Sequence, residues 1–570
     1  MTSPVKLSRR MFLAGASVAF VIAAHPAVAQ QLYGASAVGD MLRANIVPST
    51  ALTPALIQNS VDLSTFPGVS LGIQASDALR TVNGTALSLA LAYCEAKNLY
   101  ARAPAGIYDY IATNVQGSRN VGLQVTKGIP GLIGAGANPV GGTVFINSAV
   151  NHPVLTLGDM GPNNGDSTYG GTYVGIMTAH GVDQTGQASA QGILFGRIWG
   201  SYFNDLGNWP DIAGTNHAYV GMQFGDAGGS TQFFFSNTVG TLVARGGQVN
   251  CFKWNSGSTG TLWGNLYGGG GTFGSRVALS GPCYHWNAPG SEFGTAGQLN
   301  AEWVSCAQFN PVVFFDSCDG ALIDHFHGEG LKMNGFDPIV ISASVARVTI
   351  NSVKLLDTWN VAANASDALI LVKGYGNCRV EIGRLYCKWN GSGFNAEAVS
   401  TLPIQLYKDD ATVVGRKPFI EIRNVDLVGH AGAFNLDATL TGAAPGSAGS
   451  ISSIQRYVFD KSRSFTEGAT IQMVNADMTL YRAHRKALVQ MTATLTANHT
   501  LTISDKEAAS GAGATLTLTD DRVDVERIGA GAFDLVVKDP AATTLYTFSG
   551  AASANTEKSF DVNGATITAI

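Results

Sequence analysis

The densest group of ionisable side chains lies in the middle of the chain, between residues 316 and 332. It contains the run Asp324-His325-Phe326-His327-Gly328-Glu329, together with Asp316, Asp319 and Lys332. Two carboxylates held a few ångströms apart are what hydrolysis of a glycosidic bond requires. In β-elimination, by contrast, a base removes the proton α to a uronate carboxylate, and nearby cationic groups neutralise that carboxylate. We therefore predict that the catalytic residues are Asp324, Glu329, His325 and His327.

Both chemistries remain open for this cluster. In hydrolysis, Asp324 and Glu329 are the acid pair. In β-elimination, the two histidines and Lys332 supply the base and neutralise charge, and the oxygen ligands for Ca²⁺ are Asp316, Asp319 and Asp324. No cofactor motif is evident, and we assign no metal ligands outside that Ca²⁺ alternative. A structural interpretation also stands, in which Asp319 and Asp324 cap turns and the histidines are surface residues.

Tryptophan and tyrosine residues are concentrated just before this cluster. They are Trp199, Tyr202, Trp209, Tyr219, Trp254, Trp263, Tyr267, Tyr284, Trp286 and Trp303. Aromatic faces stack on the apolar faces of sugar rings, although about half of these residues are expected to pack inside the protein. We predict that the substrate-binding residues are Trp209, Trp286, Trp303 and Lys332. The acids near these tryptophans, Glu302 and Asp205, are second-rank catalytic candidates.

Four six-residue segments, which we call hexads, share one pattern with apolar residues at positions one, three and six and isoleucine at position three. They begin at Ala321, Val348, Val380 and Ile420, so successive starts are 27, 32 and 40 residues apart. The first three each follow another short apolar run: Val312–Phe315, Ile339–Ile341 and Leu369–Val372.

Short strands that recur at variable spacing are typical of a stacked solenoid, whose turns can lengthen outward without disturbing the stack. A β-propeller needs four antiparallel strands per blade, and a β-sandwich needs frequent tight hairpins, so neither fits as well. The pattern therefore predicts an all-β solenoid. In that solenoid the four hexad isoleucines, Ile323, Ile350, Ile382 and Ile422, form an interior ladder.

The region before residue 140 carries a family resemblance. Asn83-Gly84-Thr85 opens a segment, residues 84–97, with apolar residues at helical spacing and Thr85 as its predicted cap. Pro104-Ala105-Gly106-Ile107-Tyr108 and Gly131-Leu132-Ile133-Gly134-Ala135-Gly136 follow. These motifs resemble the entry region of pectate-lyase-like right-handed parallel β-helix proteins, which include polysaccharide lyases, glycoside hydrolases and phage tailspike depolymerases.

The resemblance implies a right-handed parallel β-helix with an N-terminal capping helix. The acidic pair that usually precedes the threonine is absent here, and the motifs mark the fold rather than a catalytic site. Leu322-Ile323-Asp324-His325 is also similar to the W-I-D-H stretch of pectate lyases, but their arginine-bearing second motif has no counterpart in this sequence.

The C-terminal part differs in composition. Residues 437–455 are rich in Ala, Gly and Ser, which predicts a linker. From about residue 485, alternating Thr, Ala and Val predict a small antiparallel β-domain with one buried face. Residues 522–537 resemble C-terminal β-domains of phage tail proteins, where such domains serve trimerisation or attachment, so the resemblance implies a homotrimer. The predicted domains are 1–29 signal peptide, 30–120 lead-in segment and cap, 121–435 parallel β-helix, 436–484 linker and connecting segment, and 485–570 C-terminal β-domain.

The first residues resemble a bacterial twin-arginine export signal. Arg9-Arg10 precedes Phe12-Leu13, an apolar run follows, and Ala27-Val28-Ala29 matches a signal-peptidase site. The apolar run is shorter than the roughly 20 residues that span a bilayer, and no later stretch is long and apolar enough to span one. We therefore expect a periplasmic or secreted protein that lacks residues 1–29 and has no transmembrane segment.

Composition narrows the class of protein further. Charged residues make up only 13% of the chain and glycine accounts for 69 of 570 residues, which argues against a helical bundle. The net charge of −5 provides no basic face for nucleic acid. Seven cysteines without a C-x-x-C motif predict neither a zinc site nor a redox pair. We expect buried thiols, with Cys378 and Cys387 as the pair best placed for a disulfide.

Two hypotheses follow for function, both by analogy from fold. In the first, the protein is an exported carbohydrate-active enzyme that degrades a polysaccharide by hydrolysis or β-elimination. In the alternative, it is a non-catalytic, glycan-binding or surface-structural β-solenoid. Two carboxylates that converge from adjacent coils beside an exposed Trp or Tyr favour the enzyme, and isolated acids in turns favour the alternative.

Overall fold

A computed structural model provides the structure of the chain. It describes residues 59–570 apart from segments 127–129, 161–167, 211–215, 226–233, 271–276, 290–291, 307–310, 334–337, 357–358, 361–367, 373–377, 389–403, 410–418, 429–433, 436–449, 460–463, 474, 481–483, 492–493, 505–520, 530, 551–555 and 564–565. The predicted signal peptide lies outside the described residues. The chain divides into two compact units: unit 1 is Met1–Asn300 with Cys318–Leu322, and unit 2 is Ala301–Ser317 with Ile323–Ile570.

Strands dominate the described residues, which contain one α-helix, α1 (Asp77–Lys97), and a 3₁₀ turn at Leu63–Thr65. The strands that begin before residue 301 are β1 Ser60–Asp62, β2 Tyr100–Ala103, β3 Gly106–Tyr110, β4 Asn114–Gln116, β5 Arg119–Val121, β6 Leu123–Val125, β7 Gly131–Gly134, β8 Thr143–Asn147, β9 Leu155–Leu157, β10 Thr168–Tyr169, β11 Thr172–His180, β12 Gln191–Phe195, β13 Ile198–Trp199, β14 Tyr202–Asn208, β15 Ala218–Phe224, β16 Phe234–Phe235, β17 Thr238–Arg245, β18 Gly247–Trp254, β19 Leu262–Gly269, β20 Val277–Leu279, β21 Tyr284–Asn287 and β22 Glu292–Glu302. The later strands are β23 Val304–Cys306, β24 Val313–Cys318, β25 Gly320–Glu329, β26 Lys332–Met333, β27 Ile339–Val345, β28 Arg347–Leu356, β29 Trp359–Asn360, β30 Ala368–Val372, β31 Arg379–Lys388, β32 Ile404–Asp409, β33 Phe419–Val428, β34 Phe434–Asn435, β35 Ser450–Phe459, β36 Ser464–Glu467, β37 Thr470–Met473, β38 Met478–Leu480, β39 His484–Arg485, β40 Ala487–Met491, β41 His499–Ile503, β42 Asp521–Arg527, β43 Leu535–Lys538, β44 Thr544–Phe548, β45 Thr556–Asn563 and β46 Thr566–Ala569.

The helix α1 begins earlier than predicted. Ser76 is the N-cap and its side chain accepts from Leu79 N–H, so the prediction that the helix starts at residue 84 with Thr85 as cap is wrong. The prediction covered only the later turns. The apolar residues Leu79 and Val82 of the first turns are exposed, as are Leu89 and Tyr93 further along the helix. The Asn83-Gly84 motif lies within the helix, where a Cβ at Gly84 would meet Ile111 O at 2.1 Å. This motif therefore serves the close packing of α1 against the strands that follow it.

Unit 1 is a stack of parallel coils. Parallel pairs join β2, β7, β11, β14, β17 and β19 in one sheet and β6, β9, β12, β15, β18 and β21 in a second. A short third sheet contains β10, β13 and β16. Buried side chains stand in register from coil to coil, as in the ladder Ile176, Leu206, Leu242 and Leu266. The three faces and interior ladders are those of a parallel β-helix.

Unit 2 contains the last three hexads, and their predicted register is confirmed. In the parallel strands β28, β31 and β33, Ile350 pairs with Ile382 and Ile382 with Ile422. Ile323 is also buried, and a hydrogen bond between Asn351 and Asp324 links the next positions of those hexads. The apolar runs predicted before the first three hexads are also strands, namely β24, β27 and β30, and β27 pairs with β30 in parallel. The fold of this part is again a parallel β-helix.

The last part of the chain mixes parallel and antiparallel pairing. β35 runs antiparallel to β33, so residues 450–455 belong to a strand and not to the predicted linker; residues 436–449 lie outside the described residues. The predicted antiparallel pairing holds for β42, β45 and β46. In contrast, β37, β40 and β42 pair in parallel, as do β38, β41 and β43. Alternating apolar residues indicate one buried face but not strand direction, which explains the difference. The homotrimer stays a prediction.

The cysteines are buried thiols, as expected for most of them. The six whose side chains are described, Cys94, Cys251, Cys283, Cys318, Cys378 and Cys387, are all buried, and Cys378 and Cys387 are free thiols. The suggested Cys378–Cys387 disulfide is therefore wrong. Cys387 occupies an inward position on β31, in register with Leu355 and Leu427, so its thiol fills space in the stack. Among the described residues, no helix combines the length and the apolar character needed to cross a bilayer.

Candidate active site on the outer face of unit 2

The bend in β25 places the predicted catalytic run as the sequence suggested. Ala321, Ile323 and Phe326 face inward and are buried, and Leu322 faces outward. Asp324 and His325 are two consecutive residues that both point away from the interior, which marks the bend. Beyond it, strand alternation resumes and turns His327 and Glu329 outward.

Asp324 does not join the other acid of the run. Its Oδ1 accepts a hydrogen bond of 2.8 Å from Asn351 Nδ2 on the neighbouring strand. This bond links two coils through their outer faces. The arrangement agrees with the structural interpretation of Asp324, and its catalytic role stays a prediction.

Three other side chains converge instead: Glu302, His327 and Glu329. One carboxylate oxygen from each glutamate and a ring nitrogen of the histidine all lie within 4.8 Å of one another. His327 Nε2 is 3.2 Å from Glu329 Oε2. The side chain of His327 is 13% exposed and that of Glu329 is 35% exposed, so the cluster is accessible from solvent. Among the described residues, this is the one group of three His, Cys, Asp or Glu side chains whose potential metal-ligand atoms lie close together.

The backbone explains why Glu302 meets Glu329. Trp303 N–H donates a hydrogen bond of 2.9 Å to Glu329 O, which aligns the end of β22 with the end of β25. Trp303 has a positive φ of 54°, and Gly330 has a φ of 63°. A Cβ at Gly330 would lie 2.8 Å from the Trp303 ring, so only glycine fits there without displacing the ring. The two glutamates are therefore held side by side by strand pairing and by one tight turn.

His325 lies on the same strand and has its own environment. Partial burial, followed by the charges of His327 and Lys354, lowers the pKa of His325 below its ordinary value. The two imidazole rings are 6.2 Å apart between centroids. His325 is thus held more readily in its neutral form, in which one ring nitrogen can accept a proton.

A row of polar side chains continues from the cluster along the coils. Lys354 lies opposite Tyr386, and Tyr386 lies opposite Asp426. In the neighbouring outward row, Leu356 lies opposite Lys388. Apart from Leu356, each residue of these two rows carries a partly exposed polar group. A polymer laid along this face would therefore meet an amine, a phenol and a carboxylate on successive coils.

Two further glutamates of unit 2 are engaged in ion pairs. Glu381 and Glu421 lie opposite each other on β31 and β33. Each is paired with two arginines; the four are Arg347, Arg379, Arg423 and Arg456. The hydrogen bond from Arg423 and the charge of Arg456 hold the pKa of Glu421 below its ordinary value, although burial opposes this. Such stabilised carboxylates make poor proton donors, so neither is a candidate general acid.

The predicted substrate-binding tryptophans differ in their exposure to solvent. Trp286 is 3% exposed and stacks on Trp254 with ring centroids 3.8 Å apart, so its expected exposure is wrong. Trp303 is 7% exposed and is likewise buried. The sequence did not show that neighbouring coils cover these two residues. Trp209 is partly exposed in unit 1, with the Arg245 guanidinium 4.9 Å above its ring, and its role stays a prediction. The side chain of Lys332 lies outside the described residues.

The two second-rank catalytic candidates, Glu302 and Asp205, lie in different environments. Glu302 is a member of the cluster, whereas Asp205 in unit 1 has a positive φ of 52° and accepts a hydrogen bond of 3.0 Å from Ala137 N–H. Asp205 therefore stabilises a turn. Lys354, Tyr386 and Lys388 were not among the predicted site residues. The hexads contained the signal, because Lys354 and Tyr386 occupy the position directly after the hexad, as His327 does.

The fold defines the chain as a parallel β-helix protein with a carboxylate–imidazole cluster on its outer face. No family model matches the sequence, and no match to it is found among curated proteins. Among solved structures, the chain is similar to the catalytic unit of a thermostable GH87 alpha-1,3-glucanase from Streptomyces thermodiastaticus strain HF3-3, with a TM-score of 0.29 and 11% sequence identity. The match covers 69% of this chain and 72% of the glucanase chain.

Proposed function

We propose that the protein is a carbohydrate-active enzyme that hydrolyses glycosidic bonds in a polysaccharide, with Glu302 and Glu329 as its pair of carboxylates. The observation that supports this proposal is their convergence with His327 on the solvent-facing side of adjacent coils. A parallel β-helix offers a long face along which a polymer can lie, with side chains repeating about every 4.8 Å.

The spacing of the carboxylates favours one stereochemical course. Retaining glycosidases hold their carboxyl groups about 5–5.5 Å apart and inverting enzymes about 6.5–9.5 Å apart. One oxygen of Glu302 and one of Glu329 lie within 4.8 Å of each other, and we propose the retaining arrangement for this pair. In this proposal Glu329 is the nucleophile, because protonated Nε2 of His327 can donate to its carboxylate. Glu302 then serves as general acid and afterwards as general base.

One observation favours β-elimination as a second candidate. His325 has a lowered pKa, so it is available as a neutral base near pH 7. Lys354 lies close enough to contribute to that shift and would neutralise a uronate carboxylate. Ca²⁺ remains part of this lyase candidate as a proposed cofactor.

The test is an activity assay with a panel of bacterial and plant polysaccharides. New reducing ends without ultraviolet absorbance are expected for hydrolysis, and unsaturated products that absorb in the ultraviolet would indicate β-elimination. Replacing Glu302 or Glu329 with glutamine should lower kcat/KM by about 10²–10⁴-fold, while Asp324→Asn serves as the matched control. Glycan binding without cleavage in the wild-type protein would instead support the non-catalytic β-solenoid.

Export is a separate part of the proposal and rests on residues outside the described structure. If the twin-arginine signal is used, replacing Arg9 and Arg10 with lysine should retain the full-length precursor in the cytoplasm. Immunoblots of cell fractions measure this, and normal export of the variant would contradict it.

A further inference from the structure

We infer that Glu302, His327 and Glu329 form a binding site for a divalent transition metal ion of the Zn²⁺ type. Each residue contributes one ligand atom, and the three atoms lie within 4.8 Å of one another. Around tetrahedral Zn²⁺, ligands at about 2.0–2.1 Å are separated by about 3.3 Å. Small side-chain rotations are enough to close the remaining difference.

The donor set determines the class of metal. One imidazole nitrogen with two carboxylates suits Zn²⁺ and its neighbours in the transition series. Ca²⁺ prefers six to eight oxygen ligands, so a three-residue site with a histidine disfavours it. The inferred site therefore differs in ligands and in metal from the Ca²⁺ site considered for a lyase.

The positions of the ligands are set by regular structure. Glu302 ends β22, and His327 and Glu329 lie at the end of β25. The hydrogen bond of 2.9 Å from Trp303 N–H to Glu329 O joins these two strand ends. Ligands on paired strands are held more accurately than ligands on loops, which lowers the entropic cost of metal binding. Glu329 is 35% exposed and His327 is 13% exposed, so ions can reach the cluster from solvent.

The consequence for activity rests on the proposed function. The metal would take both carboxylates that hydrolysis requires, so bound Zn²⁺ would act as an inhibitor of this site. Binding itself does not depend on catalysis and can be measured without a substrate.

The experiment titrates the full-length protein, first treated with a chelator, with Co²⁺ and then displaces Co²⁺ with Zn²⁺. We expect visible absorption bands that saturate at about one equivalent and disappear with Zn²⁺. His327→Gln, Glu302→Gln and Glu329→Gln should each weaken binding at least about tenfold. His325→Gln and Asp324→Asn are matched controls on the same strand and should bind like wild type.

A second measurement guards against misfolded variants. Zn²⁺ should raise the melting temperature of the wild type and of His325→Gln, but not that of Glu302→Gln. The absence of saturable binding in the wild type, or equal losses in His325→Gln and His327→Gln, would overturn the inference. Saturable zinc binding without any glycan cleavage would retain the metal site and refute hydrolysis. Glycan cleavage by a protein that shows no saturable metal binding would retain hydrolysis and refute the metal site.

Discussion

Asn351 Nδ2 lies 2.8 Å from Asp324 Oδ1 and donates a hydrogen bond across two coils of unit 2. The carboxylate that the sequence placed first among the catalytic residues is therefore engaged in holding strands together. Asparagine at position 324 keeps an oxygen that can accept the same bond. We expect Asp324→Asn to fold and to keep kcat/KM close to wild type in the polysaccharide assay. A loss of several orders of magnitude would return Asp324 to the catalytic set.

Trp286 should matter for stability and not for glycan binding. Its ring is stacked on Trp254 and contacts Phe293, so truncation leaves a cavity in the core of unit 1. We expect Trp286→Ala to lower the free energy of unfolding by about 3–5 kcal/mol, measured by urea denaturation. Trp199, which is 46% exposed, is the matched control, and Trp199→Ala should change stability by only about 0.5 kcal/mol. Equal effects would show that Trp286 is not packed as described.

The isoleucine ladder predicts a graded response at position 350. Ile350→Val removes one methylene group and should cost about 0.5–1.5 kcal/mol. Ile350→Asp places an unpaired carboxylate between Ile323 and Ile382, so the local stack should open. Hydrogen exchange of the amides in β28 and β31 measures this opening. Unchanged protection in Ile350→Asp would mean that this side chain does not face the interior.

Glu421 should make unit 2 sensitive to acid. Because its folded-state pKa is held below the ordinary value, its ion pairs stabilise the fold above the unfolded-state pKa of a glutamate. That contribution is lost as pH falls through the folded-state pKa. We expect Glu421→Gln to be less stable than wild type at neutral pH and to show a weaker decline in acid. Parallel pH profiles for the two proteins would contradict this assignment.

The buried thiols should be unreactive in the folded protein. Burial raises the pKa of Cys378 to about 11 and also raises that of Cys387. Thiolate is the reactive form, so alkylation of the native protein near pH 8 should leave both residues unmodified. After unfolding without a reductant, mass spectrometry should find both alkylated. A species with these two cysteines linked would restore the disulfide that the structure excludes.

Much of the fold could be predicted from the sequence because its signals are local. The hexads alternate apolar and polar residues around a two-residue bend, and that spacing alone decides that Ile350 and Ile382 face inward. The helix α1 was predicted from apolar residues at helical spacing, although two of them, Leu89 and Tyr93, are exposed in the structure. The first turns of α1 and the strand residues 450–455 were missed. Amino-acid composition gives an average tendency for a segment, but it does not show which of its residues pack against the rest of the protein.

The tertiary structure decided the candidate site. The distance between Glu302 and Glu329 depends on the length of the turns between their strands, and the sequence does not show how those turns close. Burial of Trp286 and Trp303 likewise depends on residues from neighbouring coils. The sequence by itself determined that the chain forms stacked parallel coils with isoleucine inside, because side-chain alternation is a property of each strand. The structure alone determined which outward residues become neighbours, because in a solenoid those contacts are made between strands distant in sequence.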